Sequence, residues 1–79
     1  MKIYDAKQLG QAIRQRRKEL HYTQADLSDF TGFSISFISD LENGKPTAEI
    51  GKTLQLISLL GMDIKLQRRD ENVRFEGEN

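Results

Sequence analysis

Apolar residues recur along the chain at spacings that spell helices, and only near the end does the period change. Leu9, Ala12, Ile13 and Leu20 fall on one face of a first helix. Asp5 stands where a cap is wanted, with Gln8 three residues on as its reciprocal partner. The opposite face carries Arg14, Arg16, Arg17 and Lys18. Thr23, with Asp26 three residues on, makes a capping box for a second helix, whose apolar positions are Ala25, Leu27 and Phe30. Gly32 permits the left-handed turn that ends it. Ser34 caps a third helix with Ile38 and Leu41 inward, and Gly44 stops it. Pro46 breaks the chain and Thr47 restarts it as a fourth helix running to Gly61. There Ile50, Leu54 and Ile57 form one stripe, and Leu56, Leu59 and Leu60 a second. A helix apolar over that much of its circumference needs cover on more than one side.

After Gly61 the pattern alternates: Met62, Ile64 and Leu66 against Asp63, Lys65 and Gln67. That predicts a half-buried strand. Its only partner in the chain would be the short, weak stretch Lys2 to Tyr4, so its ladder groups stay unpaired. The simplest remedy is the same strand from a second copy, antiparallel across a two-fold axis. Leu56, Leu60, Met62, Ile64 and Leu66 are the expected dimerisation residues. The expected organisation is a helical domain over 1–61, a dimerisation strand over 62–69 and a disordered acidic tail over 70–79.

Length and composition narrow the class. Seventy-nine residues make one small domain, whose core gains from a partner subunit. With no cysteine and one histidine, a disulfide framework or a thiolate metal site is out of reach, and no metal or cofactor is expected. No apolar run approaches a membrane span. No nucleophile–base pair, phosphate loop or metal cluster suggests an enzyme. The formal net charge is zero, but unevenly spread. Residues 1–69 hold eleven Lys/Arg against eight Asp/Glu, and the last ten residues offset that excess. The body is modestly basic, which suits a polyanion better than the total does.

Two short helices joined by a glycine turn, the second starting with small hydroxyl side chains, match what the DNA major groove admits. Base readers must stand near the start of the second helix of the pair: here Ser34, Ile35, Ser36, Ser39 and Asp40. A serine hydroxyl donates or accepts, Ile35 can pack on a thymine methyl, and Asp40 can accept from a cytosine amine. No Arg or Lys precedes Lys45 on this helix, so bidentate guanine readout is not expected from it, and indirect readout gains weight. Phosphates are expected at Thr23, Gln24, Asn43, Lys45, Arg14 and Lys18. Each feature has a blander reading: serines that merely cap, an ordinary surface glutamine, a solvated basic face, and Phe37 as packing. Their combined spacing favours the sharper one.

That spacing resembles a family. Leu9-Gly10, Ile13-Arg14, Arg17, Thr23-Gln24, Leu27, Gly32, Ser34, Ile38-Ser39 and Glu42-Asn43-Gly44 are similar to the Cro/C1-type helix-turn-helix, or XRE, family, and the likeness covers about residues 6–61. It implies an all-α, four- to five-helix lambda-repressor-like DNA-binding domain, with the short C-terminal β-strand pairing across a homodimer. It also implies that Gln24 contacts phosphate, that Ser34, Ile35, Ser36 and Ser39 read bases, and that Arg17 and Glu42 form a structural pair. The chain departs from the family at His21, where glycine is common, and at Arg16, often aliphatic. The stretch KIYDAKQLGQAI and the predicted strand more loosely resemble the HipB antitoxin subgroup. That likeness implies a cytoplasmic, nucleoid-associated bacterial repressor of its own operon. It would bind a palindromic operator in double-stranded DNA and a HipA-like kinase toxin. A free-standing or phage regulator, and a protein-interaction module that has lost DNA binding, are the alternatives.

Overall fold

The computed structural model describes residues 2–70. Four helices form: α1 (Ala6–Glu19), α2 (Gln24–Thr31), α3 (Ile35–Glu42) and α4 (Ile50–Leu59). The all-α expectation holds, with four helices among the described residues.

The starts follow local chemistry. Asp5 accepts the Gln8 amide at 2.8 Å, while the Gln8 side chain accepts from the Tyr4 amide rather than from Asp5. At α2 the capping box is complete: Thr23 Oγ1 accepts from the Asp26 amide, and Asp26 Oδ2 accepts from the Thr23 amide. Ser34 accepts the Phe37 amide at 3.0 Å and starts α3. The fourth helix departs from expectation. Pro46 and Thr47 belong to a turn, and the cap is Glu49, whose carboxylate takes the Gly51 and Lys52 amides. A carboxylate there satisfies two otherwise free donors and favours the positive end of the helix dipole.

Seven side chains make the core: Ile13, Leu27, Ile38, Leu41, Leu56, Ile57 and Leu60. Leu9, Leu20, Tyr22, Phe33, Phe37, Ala48 and Met62 pack around them. The α1 stripe is thus as expected. In α2 only Leu27 is buried. Ala25 and Phe30, also expected inward, are exposed, and Phe30 meets Tyr22 edge-on at 5.1 Å. An eight-residue helix lying against one neighbour buries a single narrow stripe. In α4 the buried side is Thr53, Leu56, Ile57 and Leu60. Ile50, Leu54 and Leu59 stay exposed. Leu56 and Leu60, expected at a dimer interface, are therefore interior residues of the protomer itself.

Residues 62–68 have no regular secondary structure, so the predicted strand does not form in the single chain. A strand exists through its ladder, and the described residues offer this segment none. Leu66 is 94% exposed and Ile64 50%. The expected tail lies, from Glu71 onward, outside the described residues.

A candidate nucleic-acid interface

The turn between α2 and α3 is set by side chains as much as by backbone. Gly32 adopts φ +79° and donates its amide to Ser28. Thr31 Oγ1 donates to the Leu27 carbonyl at 2.7 Å and accepts the Phe33 amide at 3.0 Å. Ser28 Oγ donates to the Phe33 carbonyl at 2.6 Å. The two bonds to Phe33 tie residues of α2 to the turn that follows, which helps to hold the angle between the two helices.

The far end of α3 is held by a buried ion pair. Arg17 Nε lies 2.7 Å from Glu42 Oε2, and Nη2 lies 2.8 Å from Oε1. Arg17 Nη1 donates to the Tyr22 carbonyl at 2.9 Å, and Gln24 Nε2 donates to Glu42 Oε1 at 3.1 Å. One carboxylate thus links α1, α2 and α3, and Arg17 adds the α1–α2 turn. Its hydrogen bond to Arg17 is the main cause that raises the guanidinium pKa above its ordinary value, against the desolvation that lowers it. The sign follows: while the pair is charged, the raised pKa adds stability below the ordinary arginine value, and that stability is lost as pH passes the raised one. Every buried polar side-chain atom among the described residues has a partner. That matters because a buried charge left alone is far more costly than the pair is beneficial.

Gly10 allows this approach. A Cβ there would meet the Leu41 carbonyl oxygen and come within 2.7 Å of the Glu42 carbonyl oxygen. Gly44, at φ +87°, ends α3 against the backbone of Lys7. His21 adopts φ 63°, so it takes the left-handed turn that glycine would fill. Arg16 has a task as well: its Nε donates to the Leu60 carbonyl at 2.9 Å and tethers the end of α4 to α1.

The expected base readers all lie on α3 or its cap. Ser34, Ile35 and Ser36 are exposed, Ile35 by 48%. Ser34 spends an acceptor on its cap and keeps its proton for donation. Ser39 and Asp40 are half-buried. Ser39 Oγ accepts from Asn43 Nδ2 at 3.4 Å, and Asp40 pairs with Lys45 at 3.5 Å. The second half of the helix is thus partly satisfied by its own neighbours. Of the expected phosphate groups, Gln24 is oriented by Glu42, which leaves its carbonyl oxygen and one N–H uncommitted. The Thr23 amide is taken by Asp26, so only its hydroxyl proton remains to give. The Gln24 and Ala25 amides, first in α2, have no partner inside the helix. Arg14 and Lys18 lie on the outer face of α1 with Gln11, Gln15 and Glu19, around a shallow depression that no residue of α2 or α3 lines. The structure does not join them to the α3 surface.

One feature on this side was not legible in the pattern. Lys52 Nζ lies 5.6 Å from the Phe33 ring centre and 5.5 Å from that of Phe37. The two rings meet edge to face at 5.6 Å. Lys52 thereby ties the first turn of α4 to the start of α3, by roughly 0.5–1 kcal/mol for an exposed cation. Phe37 is packing, as its blander reading had it.

The helix-turn-helix family profile matches residues 13–66, more than half of the chain. The chain belongs to the XRE family of helix-turn-helix transcriptional regulators. An uncharacterized HTH-type transcriptional regulator, y4mF, from Sinorhizobium fredii is 45% identical over 58 residues, covering 73% of this chain and 76% of that protein. The ImmF control region 10 kDa protein of Bacillus phage phi105 is 30% identical over 69 residues, 87% of this chain and 77% of that one. Among solved structures, a HipB-O1-O2 complex superposes with a TM-score of 0.79 at 25% identity, covering 86% of this chain and 99% of that one. A HipA-HipB-O2-O3 complex gives 0.80 at 24%, covering 89% and 99%. At that identity the likeness speaks for the fold. DNA binding is what such a domain implies. Among the described residues, no helix is long and apolar enough to cross a membrane, and no cluster of metal-ligating side chains exists.

Proposed function

We propose that this regulator is a homodimeric repressor of a palindromic operator, and that it serves as the HipB-like antitoxin of an autoregulated operon. The observation that carries the DNA reading is the exposed row Ser34, Ile35 and Ser36 on a helix whose other end is locked by the Arg17–Glu42 pair. A reading helix must hold its register in the groove, and a bidentate buried pair provides that. Gln24, Asn43 and Lys45 take phosphates, and Ser39 and Asp40 complete the base-facing set. Thr23 adds one hydroxyl. Arg14 and Lys18 add longer-range attraction.

Two copies pair through the segment 62–69, with Met62, Ile64 and Leu66 of each supplying apolar cover. Ile50, Leu54 and Leu59 on α4 extend the exposed apolar surface available to the pairing. Support for the antitoxin role is the likeness to the HipB-O1-O2 and HipA-HipB-O2-O3 complexes, over nearly the whole of the matched chain. By that likeness the further partner is a HipA-like kinase.

Selection of bound duplexes from a random pool tests the central reading. Enrichment of two inverted half-sites about 34 Å apart is expected. Failure of a folded dimer to enrich any sequence would overturn it. Co-purification with the kinase-like protein of the neighbouring reading frame tests the antitoxin role.

A second reading, a free-standing regulator of the phage type, is favoured by one finding: the relative from the phage phi105 control region covers more of this chain than the Sinorhizobium one. It predicts the same DNA selection and no kinase partner.

A further inference from the structure

From the Asp40–Lys45 pair we infer that Asp40 is a specificity-determining residue, a carboxylate that keeps the reading helix off DNA lacking a cytosine amine opposite it. The inference rests on the DNA-binding reading above.

Asp40 and Glu42 are the carboxylates of α3. Glu42 is buried and held by Arg17, so Asp40 alone presents a free edge, its side chain 47% exposed. A carboxylate there faces a polyanion and is repelled unless something offsets it. The cation that offsets it is Lys45, at 3.5 Å, its own side chain 54% exposed. The backbone brings the two together: the Lys45 amide donates to the Asp40 carbonyl at 3.0 Å, around the Gly44 turn seated on Lys7.

The pair is exposed and long, which makes it weak. Lys45 is therefore free to trade Asp40 for a phosphate. The trade strips Asp40 of its counter-charge at the moment the helix enters the groove. A cytosine amine can then compensate the carboxylate, since it is the base-edge donor that suits an acid. Over a thymine or guanine acceptor the carboxylate meets another acceptor and the complex is penalised. Sequence-independent attraction from Lys45 is thus offset on non-cognate DNA and released on the cognate site. The device suits a reading helix with no other cation.

The test uses the full chain, with random-sequence genomic DNA and the duplex enriched from a random pool as probes. Asp40→Asn should raise affinity for random DNA about threefold, the order expected from removing one solvent-exposed charge close to the phosphate backbone. It should lower the ratio of cognate to random affinity about tenfold, the usual weight of one mismatched base pair. Lys45→Met should weaken binding to random DNA more in the Asp40→Asn background than alone, because only there is the lysine uncommitted. Melting temperature should be unchanged in each. An unchanged affinity ratio in Asp40→Asn, or equal Lys45→Met effects in both backgrounds, would overturn the inference. Absence of any salt-dependent DNA binding by the unaltered chain would instead overturn the reading beneath it.

Discussion

The two ends of this small fold are finished to different degrees. Where α1, α2 and α3 meet, every buried polar side-chain atom among the described residues is paired, the backbones touch at Gly10, and Glu42 gathers three donors. Along α4 and the segment after it, Ile50, Leu54, Leu59, Ile64 and Leu66 face solvent. The first region buries and pairs its groups, and the second leaves large apolar side chains exposed. In the proposed dimer the first region would be the reading head and the second the seam.

The sharpest way to break the finished region is Glu42→Ala. It leaves Arg17 buried without a counter-charge, and a loss of about 3–5 kcal/mol is expected from urea unfolding. Against a total of roughly 5–15 kcal/mol for a domain, that is severe. Gly10→Ala comes next. The new methyl meets two backbone oxygens that cannot step aside, so about 1–3 kcal/mol should be lost and α1 displaced from α3.

The unfinished region should respond in the opposite manner. Ile64→Asp with Leu66→Asp leaves the protomer fold intact, since neither side chain is in the core. Sedimentation equilibrium should show dimer association weakened by more than about tenfold, with circular dichroism of the helices unchanged. A monomer at all concentrations for the unaltered chain would remove the seam from the account.

Smaller effects sharpen the division. Gln24→Ala should lower affinity about fivefold and evenly across sequences, as loss of one phosphate hydrogen bond does, while selectivity is kept. Lys52→Met should cost about 0.5–1 kcal/mol of stability through the lost contact with Phe33 and Phe37.

Much of the reading head was legible in the chain. Asp5, Thr23, Ser34, Gly32 and Gly44 mark helix ends through local chemistry, which depends on neighbours a few residues away. The Arg17–Glu42 pair came from the family likeness, as did the notice that His21 stands where glycine is common. What escaped depends on distant partners. Arg16 reaches Leu60 and Lys52 reaches the two rings across long stretches of sequence, which no periodicity records. Thr47, after the break at Pro46, looked like a helix start, but Glu49 offered two acceptors to the free amides and won. The apolar rows of α4 could not say which would face inward. Leu56 and Leu60 went to the core, while Leu54 and Leu59 stayed outside. An alternating segment reads as a strand whether or not its partner is present, and the described residues supply none.

The measurement that bears most directly on the division is the stoichiometry of the chain on its selected duplex, by sedimentation velocity across a salt series. Two chains per duplex are expected, bound cooperatively, with affinity falling steeply as salt rises. One chain per duplex, or binding indifferent to salt, would contradict the account.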